Sequence, residues 1–259
     1  MSRRKASDCL RKNRSKTLAQ TDTVSVIIPA YNASRTIRET LESAAAQTHR
    51  ALEILVVDDG SSDETPAIVE GFASGDPRVR LIPQANGGVA AARNSGIAAS
   101  SAEFIAPLDS DDLWHPTKIA RQLDIFATGG PDIGLVYTWF ALIDDRSRVK
   151  QLRHHPEHQG EVLAPLAFHN FIGNGSSALI RRSALAHTEG YDSSLRRGGR
   201  TGRQIVLSSE QMEEICRRTP AEGDIDHGAH DEAHHVMQKP IGLDREHQSH
   251  SVRSRRPFG

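Results

Sequence analysis

The sequence predicts an α/β domain: a mainly parallel sheet with helices on both faces. Three observations carry this expectation. Short, largely apolar runs occur at Val24–Ile28, Glu53–Val57 and Phe104–Leu108, as strands buried on both faces require. Between them lie segments whose apolar residues recur at helical spacing. The apolar pattern is also confined to residues 24–185 and is absent from both ends.

The elements follow in order. Val24–Ile28 is closed by Pro29, and Ser34 is placed to cap a helix reaching about Gln47 through Ile37, Leu41, Ala44 and Ala45. Glu53–Val57 is the second strand and Thr65–Ala73 the second helix. Val79–Ile82 precedes an alanine-rich helix from about Gly88 to Ala99. Phe104–Leu108 is the next strand, and Pro116 opens a helix to about Phe126. Ile133–Tyr137 and Trp139–Ile143 read as strands, with a turn at Asp144–Asp145. Val162–Phe168 reads as helical, Ser177–Ile180 as a strand and Arg182–His187 as a helix start. Gln204–Arg218 has the length and pattern of one further helix.

Composition limits what the 259 residues do. With 32 basic and 33 acidic side chains the net charge is −1, so no global field draws the chain to nucleic acid. Two cysteines exclude a disulfide scaffold and fit a reduced, cytoplasmic compartment. No apolar run reaches the ~20 residues that span a bilayer, and residues 1–20 lack a signal-peptide core. Residues 1–23 form a basic arm, with Arg3, Arg4, Lys5, Arg11, Lys12, Arg14 and Lys16 and almost no apolar side chains. It reads either as a disordered arm or as a weak peripheral contact with anionic lipid. Residues 196–259 form a low-aromatic, His-rich tail: from 198 onward there is one Phe and no Trp or Tyr.

Polar residues gather where three strands end. Val24–Ile28 runs into Pro29-Ala30-Tyr31-Asn32, Ile54–Val57 into Asp58-Asp59-Gly60-Ser61-Ser62-Asp63, and Phe104–Leu108 into Asp109-Ser110-Asp111-Asp112. Open parallel sheets bind ligands beyond the carboxyl ends of their strands, so the three clusters point to one site. The residues of 58–63 are also ordinary turn and cap formers. The 109–112 cluster is harder to explain by turns alone. Three carboxylates in four residues repel one another unless a cation relieves them. A hard divalent ion takes one or two carboxylates and fills its shell from substrate phosphates.

These stretches are recognisable. VSVIIPAYNASRTIRETLESAAAQTH, EILVVDDGSSDET, NGGVAAARNSGIAAS and EFIAPLDSDDLWHPTKI resemble, in order and spacing, the family 2 glycosyltransferases of the Rossmann-like GT-A fold. Looser similarity continues through GNGSSALIRRSAL to GYDSSL near Leu195, which sets a domain of residues 24–195. The resemblance implies a nucleotide-diphospho-sugar donor, UDP-type favoured, and Mn²⁺ or Mg²⁺ as cofactor. It also implies a glycan or lipid-linked acceptor and transfer with inversion. Pro29 and Tyr31 would line the base pocket, and Asp59 beside Asp58 would hydrogen-bond the base. Asp109-Ser110-Asp111 matches the DxD motif, with Asp109 near the sugar and Asp111 as the direct metal ligand. Arg93, in ARNSG, either borders the donor or balances the charge of these acids. Trp114 either packs beneath the motif or stacks on a sugar.

The pattern departs after Leu195. The family's acidic pair, which supplies the catalytic base, and the aromatic-rich helix that follows it have no counterpart in Arg196-Arg197-Gly198-Gly199-Arg200, so no base is assigned. A shift of reading frame near Arg196 and a divergent tail are the two accounts, and translating the other two frames separates them. The tail histidines His227, His230, His234, His235, His247 and His250 lack a cysteine or a rigid frame for a defined metal site. The rival function is a truncated nucleotide-sugar binder without turnover. A nucleotidyltransferase would carry a Gly-rich basic loop after the first strand, and a dinucleotide oxidoreductase a G-x-G-x-x-G there; neither is present.

Overall fold

The computed structural model describes residues 22–153, 172–186, 188, 190–193, 204–207 and 235–238. Most of the basic arm, the Val162–Phe168 helix and the tail histidines except His235 lie outside these residues. The elements are β1 (Val24–Ala30), α1 (Ile37–Ala45), β2 (Leu52–Asp58), α2 (Thr65–Ala73), β3 (Val79–Pro83), α3 (Gly88–Ala99), β4 (Phe104–Pro107) and β5 (Leu113–Trp114). They continue with α4 (Lys118–Gly129), β6 (Ile133–Tyr137), β7 (Trp139–Ile143), β8 (Val149–Arg153), β9 (Leu179–Arg181), α5 (Arg182–Leu185), β10 (Gln204–Leu207) and β11 (His235–Gln238).

The main sheet has the order β11-β6-β9-β4-β1-β2-β3. Strands β3, β2, β1 and β4 are parallel, with Val26 beside Ile54 and Ala106, whereas β9 runs antiparallel between β4 and β6. Alternation along each strand assigns the two faces. Val24, Val26, Ile28, Ile54, Val56, Phe104 and Ala106 pack with Ile37 and Leu41 of α1, Val69 of α2 and Ile119, Leu123 and Phe126 of α4. On the opposite face Ile27, Leu55 and Ile105 meet Ile97 of α3 and Leu185 of α5. Both faces are covered, as the continuous apolar runs require.

The second face is thin because α3 sits very close to the sheet. A Cβ at Gly96 would overlap Ile27 Cγ2 and come within 3.2 Å of Val57 Cγ2. Alanines and this glycine let the helix approach.

A second sheet, β5-β10-β7-β8, adjoins α1 and α4. The two sheets bring one correction each. Gln204–Leu207 forms a strand antiparallel to β7 rather than the start of a helix, and the rest of that expected helix lies outside the described residues. His235–Gln238, in a segment without apolar period, pairs antiparallel with β6. Helix α1 also starts later than Ser34 suggests. Its N-cap is Thr36, which makes no side-chain cap bond; the Thr36 hydroxyl donates instead to Ser110 O at 2.8 Å.

At the start of α4, Lys118 is 3% exposed. Its Nζ donates to Gln122 Oε1 at 2.9 Å and stands 4.2 Å from the centroid of the Trp114 ring. Burial pushes its pKa well below the ordinary lysine value. A base whose pKa is lowered by burial binds fewer protons folded than unfolded between its two pKa values, so its contribution to stability rises with pH up to about 10.4. Lys118→Met removes that dependence. Thermal midpoints at pH 7 and pH 10 should show the wild type gaining on the variant; parallel shifts would refute it.

Candidate functional site

Strand order creates the site. From β1 the chain steps to β2 on one side, and β4 later joins β1 on the other, so the loops after β1 and β4 diverge and leave a crevice. A cleft of about 920 Å³ occupies it. Its walls come from the β1–α1 loop, Asp59 after β2, the first turns of α3, the turn Asp109–Asp111 after β4, and Asp145 between β7 and β8.

The β1–α1 loop is held by the loop after β2. Asn32 has φ 49°, a left-handed conformation that asparagine tolerates. Its Oδ1 accepts Ser62 N at 2.8 Å, and its own N–H donates to Ser61 Oγ at 2.9 Å. This leaves Tyr31, 55% exposed, on the cleft rim beside buried Pro29. Asp63 accepts Ser34 N and Thr65 N, both at 3.0 Å, joining the loop to the start of α2. Desolvation raises its pKa, but hydrogen bonds from Thr65 and Ser34 outweigh it and hold the carboxyl far below the usual range. Such a depressed acid stabilises the fold fully above about pH 3.9, and its contribution is lost as pH falls below that value. Asp63→Ala should therefore cost roughly 1 kcal/mol at pH 7, as loss of a helix cap does. In urea denaturation the gap to the wild type should narrow at pH 3; a constant gap would contradict the linkage.

Asp58 and Asp59 part company. Asp58 does not line the cleft: its Oδ1 accepts Ser61 N at 3.3 Å and shapes the turn. Asp59, 3% exposed, does line it. Its Oδ1 accepts Gln84 Nε2 at 2.7 Å and Gly87 N at 2.8 Å, and its Oδ2 accepts Gly88 N at 2.8 Å. The carboxylate thus sits on the N-terminus of α3, where negative charge is favoured. Three of about four acceptor positions are used, which leaves room on Oδ2 for one donor from a ligand.

The acidic turn after β4 is relieved from distant parts of the chain. Arg93 Nη2 pairs with Asp109 Oδ1 at 2.5 Å, the two side chains being 15% and 13% exposed. The guanidinium lies 5.2 Å from the Tyr191 ring centroid, and a Cβ at Gly175 would come within 2.8 Å of Nη2. Arg93 therefore stands behind Asp109 as its charge partner, one of the two roles its position left open, and is not among the residues lining the cleft. Asn94 next to it accepts Tyr191 N and donates to Tyr191 O, both at 2.8 Å. Asp112 is buried and accepts Ser176 Oγ at 2.6 Å. Trp114 is also buried beneath the turn, its Nε1 donating to Ser176 O at 2.8 Å. Asp111 and Asp109 both line the cleft.

No group of three or more His, Cys, Asp or Glu side chains that could hold a metal occurs among the described residues. The oxygen donors fit a hard cation of the Mn²⁺ or Mg²⁺ type held by one or two carboxylates, with the remaining ligands from a phosphate-bearing substrate. Arg35 and Asp145 also line the cleft, although nothing in the sequence marked either as a site residue. Arg35 belongs to a helix-start pattern that is usually solvated, and Asp145 to a tight turn.

The comparisons with known proteins fit this geometry. The family model for glycosyl transferase family 2 matches residues 25–188, well over half of the chain. The chain belongs to this glycosyltransferase family. An uncharacterized glycosyltransferase of Rickettsia typhi is 40% identical over 124 residues, 48% of this chain and 38% of that protein. The succinoglycan biosynthesis protein ExoO of Rhizobium meliloti is 41% identical over 125 residues, 48% of this chain and 35% of ExoO. The alignments thus span under half the length of these curated relatives. Among solved structures, S. aureus TarS 1-349 in complex with UDP superposes with a TM-score of 0.51 at 22% identity, covering 75% of this chain and 63% of that one. That likeness establishes the GT-A fold for this family 2 chain. No helix among the described residues is long and apolar enough to cross a membrane.

Proposed function

We propose that the cleft binds a nucleoside-diphosphate sugar, UDP-type favoured, together with Mn²⁺ or Mg²⁺. The sugar is passed with inversion to a glycan or lipid-linked acceptor in cell-envelope or polysaccharide assembly. The observation that carries this reading is convergence: Tyr31, Asp59 and Asp111 follow three different strands yet line one cleft at the sheet's switch point. Membership of the family and the ExoO likeness support the activity and its setting.

Each residue then has a task. Pro29 and Tyr31 wall the base, and the remaining acceptor position of Asp59 takes a base N–H. Asp111, with Asp109 beside it, holds the cation. When bound, the cation supplies neutralisation of charge on the departing diphosphate. Arg93, paired with Asp109, fixes that carboxylate in place. Arg35, the one cationic side chain lining the cleft among the described residues, faces the phosphates. The acceptor hydroxyl must lose a proton to a carboxylate on the opposite side, and that group is not assigned. The basic arm supplies a weak peripheral contact with anionic lipid at the cytoplasmic face of the membrane.

Calorimetric titration with UDP and GDP, with and without Mn²⁺, tests the proposal. Binding of UDP that requires Mn²⁺ is the expected result; indifference to both nucleotides would overturn it. Donor hydrolysis assayed alongside separates an enzyme from a binder without turnover.

A further inference from the structure

The acidic turn 109–112 needs an explanation for its shape, and Ser176 provides one. Ser176 is fully buried and lies 67 residues beyond Asp109 in the chain. Its hydroxyl accepts the Asp109 N–H at 3.0 Å and donates to Asp112 Oδ2 at 2.6 Å, so it uses both its acceptor and donor capacity on the two ends of one turn. Its carbonyl accepts the Trp114 indole N–H at 2.8 Å, which fixes where the hydroxyl stands. Within the turn Asp112 N donates to Asp109 O at 3.0 Å. The middle is held from the other side, where Thr36 and Thr40 hydroxyls donate to Ser110 O at 2.8 and 3.0 Å. Asp111 is the acid of the turn that lines the cleft without lying at a pinned end.

We propose that Ser176 is a positioning residue for Asp111: by bridging Asp109 N and the Asp112 carboxylate it holds the turn in the conformation that presents Asp111 to the cation. The inference rests on the donor-site reading above. It also gives buried Asp112 a part in holding the turn. The hydrogen bond from Ser176 commits the Asp112 carboxylate to the turn and away from the cleft. Groups that orient metal ligands typically change metal affinity 10- to 100-fold when removed.

The test uses the full chain and two readouts. The first is Mn²⁺ affinity in the presence of saturating UDP, followed by electron paramagnetic resonance. Ser176→Ala should weaken it roughly 10- to 100-fold. Ser176→Thr, which keeps the hydroxyl, should recover most of the affinity even if its methyl lowers the thermal midpoint. The second readout is amide hydrogen exchange in the protein alone, where Ser176→Ala should selectively deprotect Asp109 N–H. A folded Ser176→Ala protein with wild-type Mn²⁺ affinity would overturn the proposal. So would equal losses of affinity in the Ala and Thr variants, which indicate a packing role. If Ser176→Ala does not fold, Ser176→Cys keeps the volume with a weak donor and poor acceptor. It should lose affinity and Asp109 protection, and wild-type values for both would again overturn the proposal. Should the wild type itself bind no Mn²⁺ with UDP, the donor-site reading fails. The exchange data then still decide whether Ser176 holds the turn.

Discussion

Replacing Asp111 by alanine should abolish Mn²⁺-dependent UDP binding while leaving the thermal midpoint within a few degrees of the wild type. The expected loss exceeds the ~100-fold upper end for an orienting neighbour, because the ligand itself is removed. The fold should survive because Asp111 is only partly buried and the turn is pinned at Asp109, Ser110 and Asp112. Asp109→Ala provides the contrast. It strands Arg93, whose Nε has no hydrogen-bond partner among the described residues. The variant should lose stability as well as binding, since an uncompensated buried charge is costly. Calorimetric titration and thermal melting on the two proteins separate these outcomes. Retained Mn²⁺ dependence in Asp111→Ala would remove the cation from its proposed place.

Gly96→Ala should destabilise the protein by about 1–3 kcal/mol, the usual range for forcing extra volume into a packed core. The sign is the informative part. In an ordinary helix interior, replacing glycine by alanine gains about 1 kcal/mol. Here the added methyl would overlap Ile27 and crowd Val57, so α3 must retreat from the sheet or the strand side chains must leave their rotamers. For a domain of this size each kcal/mol lowers the midpoint by about 2–4 °C. Thermal melting settles the matter, and an unchanged or higher midpoint would show that α3 has freedom to move. Retreat would also disturb ligand binding, because α3 carries Gly88 against Asp59 at one end and Arg93 against Asp109 in its middle.

What could be read directly from the amino acids follows from burial. Strands β1, β2 and β4 are covered on both faces, so their sequences are continuous apolar runs that admit few other readings. Polar residues after such runs must lie at the sheet's edge, which brought Tyr31, Asp59, Asp109 and Asp111 together before any coordinates. Pairings were out of reach. Arg93 and Asp109 are 16 residues apart and Ser176 lies 67 beyond Asp109, so their contacts depend on the helix and strand packing itself. The second sheet was only partly visible: β5 has two residues and β10 four, too few to show a period. Ser34 has the chemistry of a cap, but residues 33–36 form a turn in which Thr36 N and Ile37 N both donate to Ala33 O, and the helix begins at Ile37.

The grip of Asn94 on Tyr191 is on main-chain atoms, through both the N–H and the carbonyl. Such a hold is blind to which side chain follows and specifies only the route of the polypeptide. The chain is therefore anchored at Tyr191, whose ring also lies against Arg93, the partner of Asp109. Whatever sequence continues from there inherits a fixed port of departure.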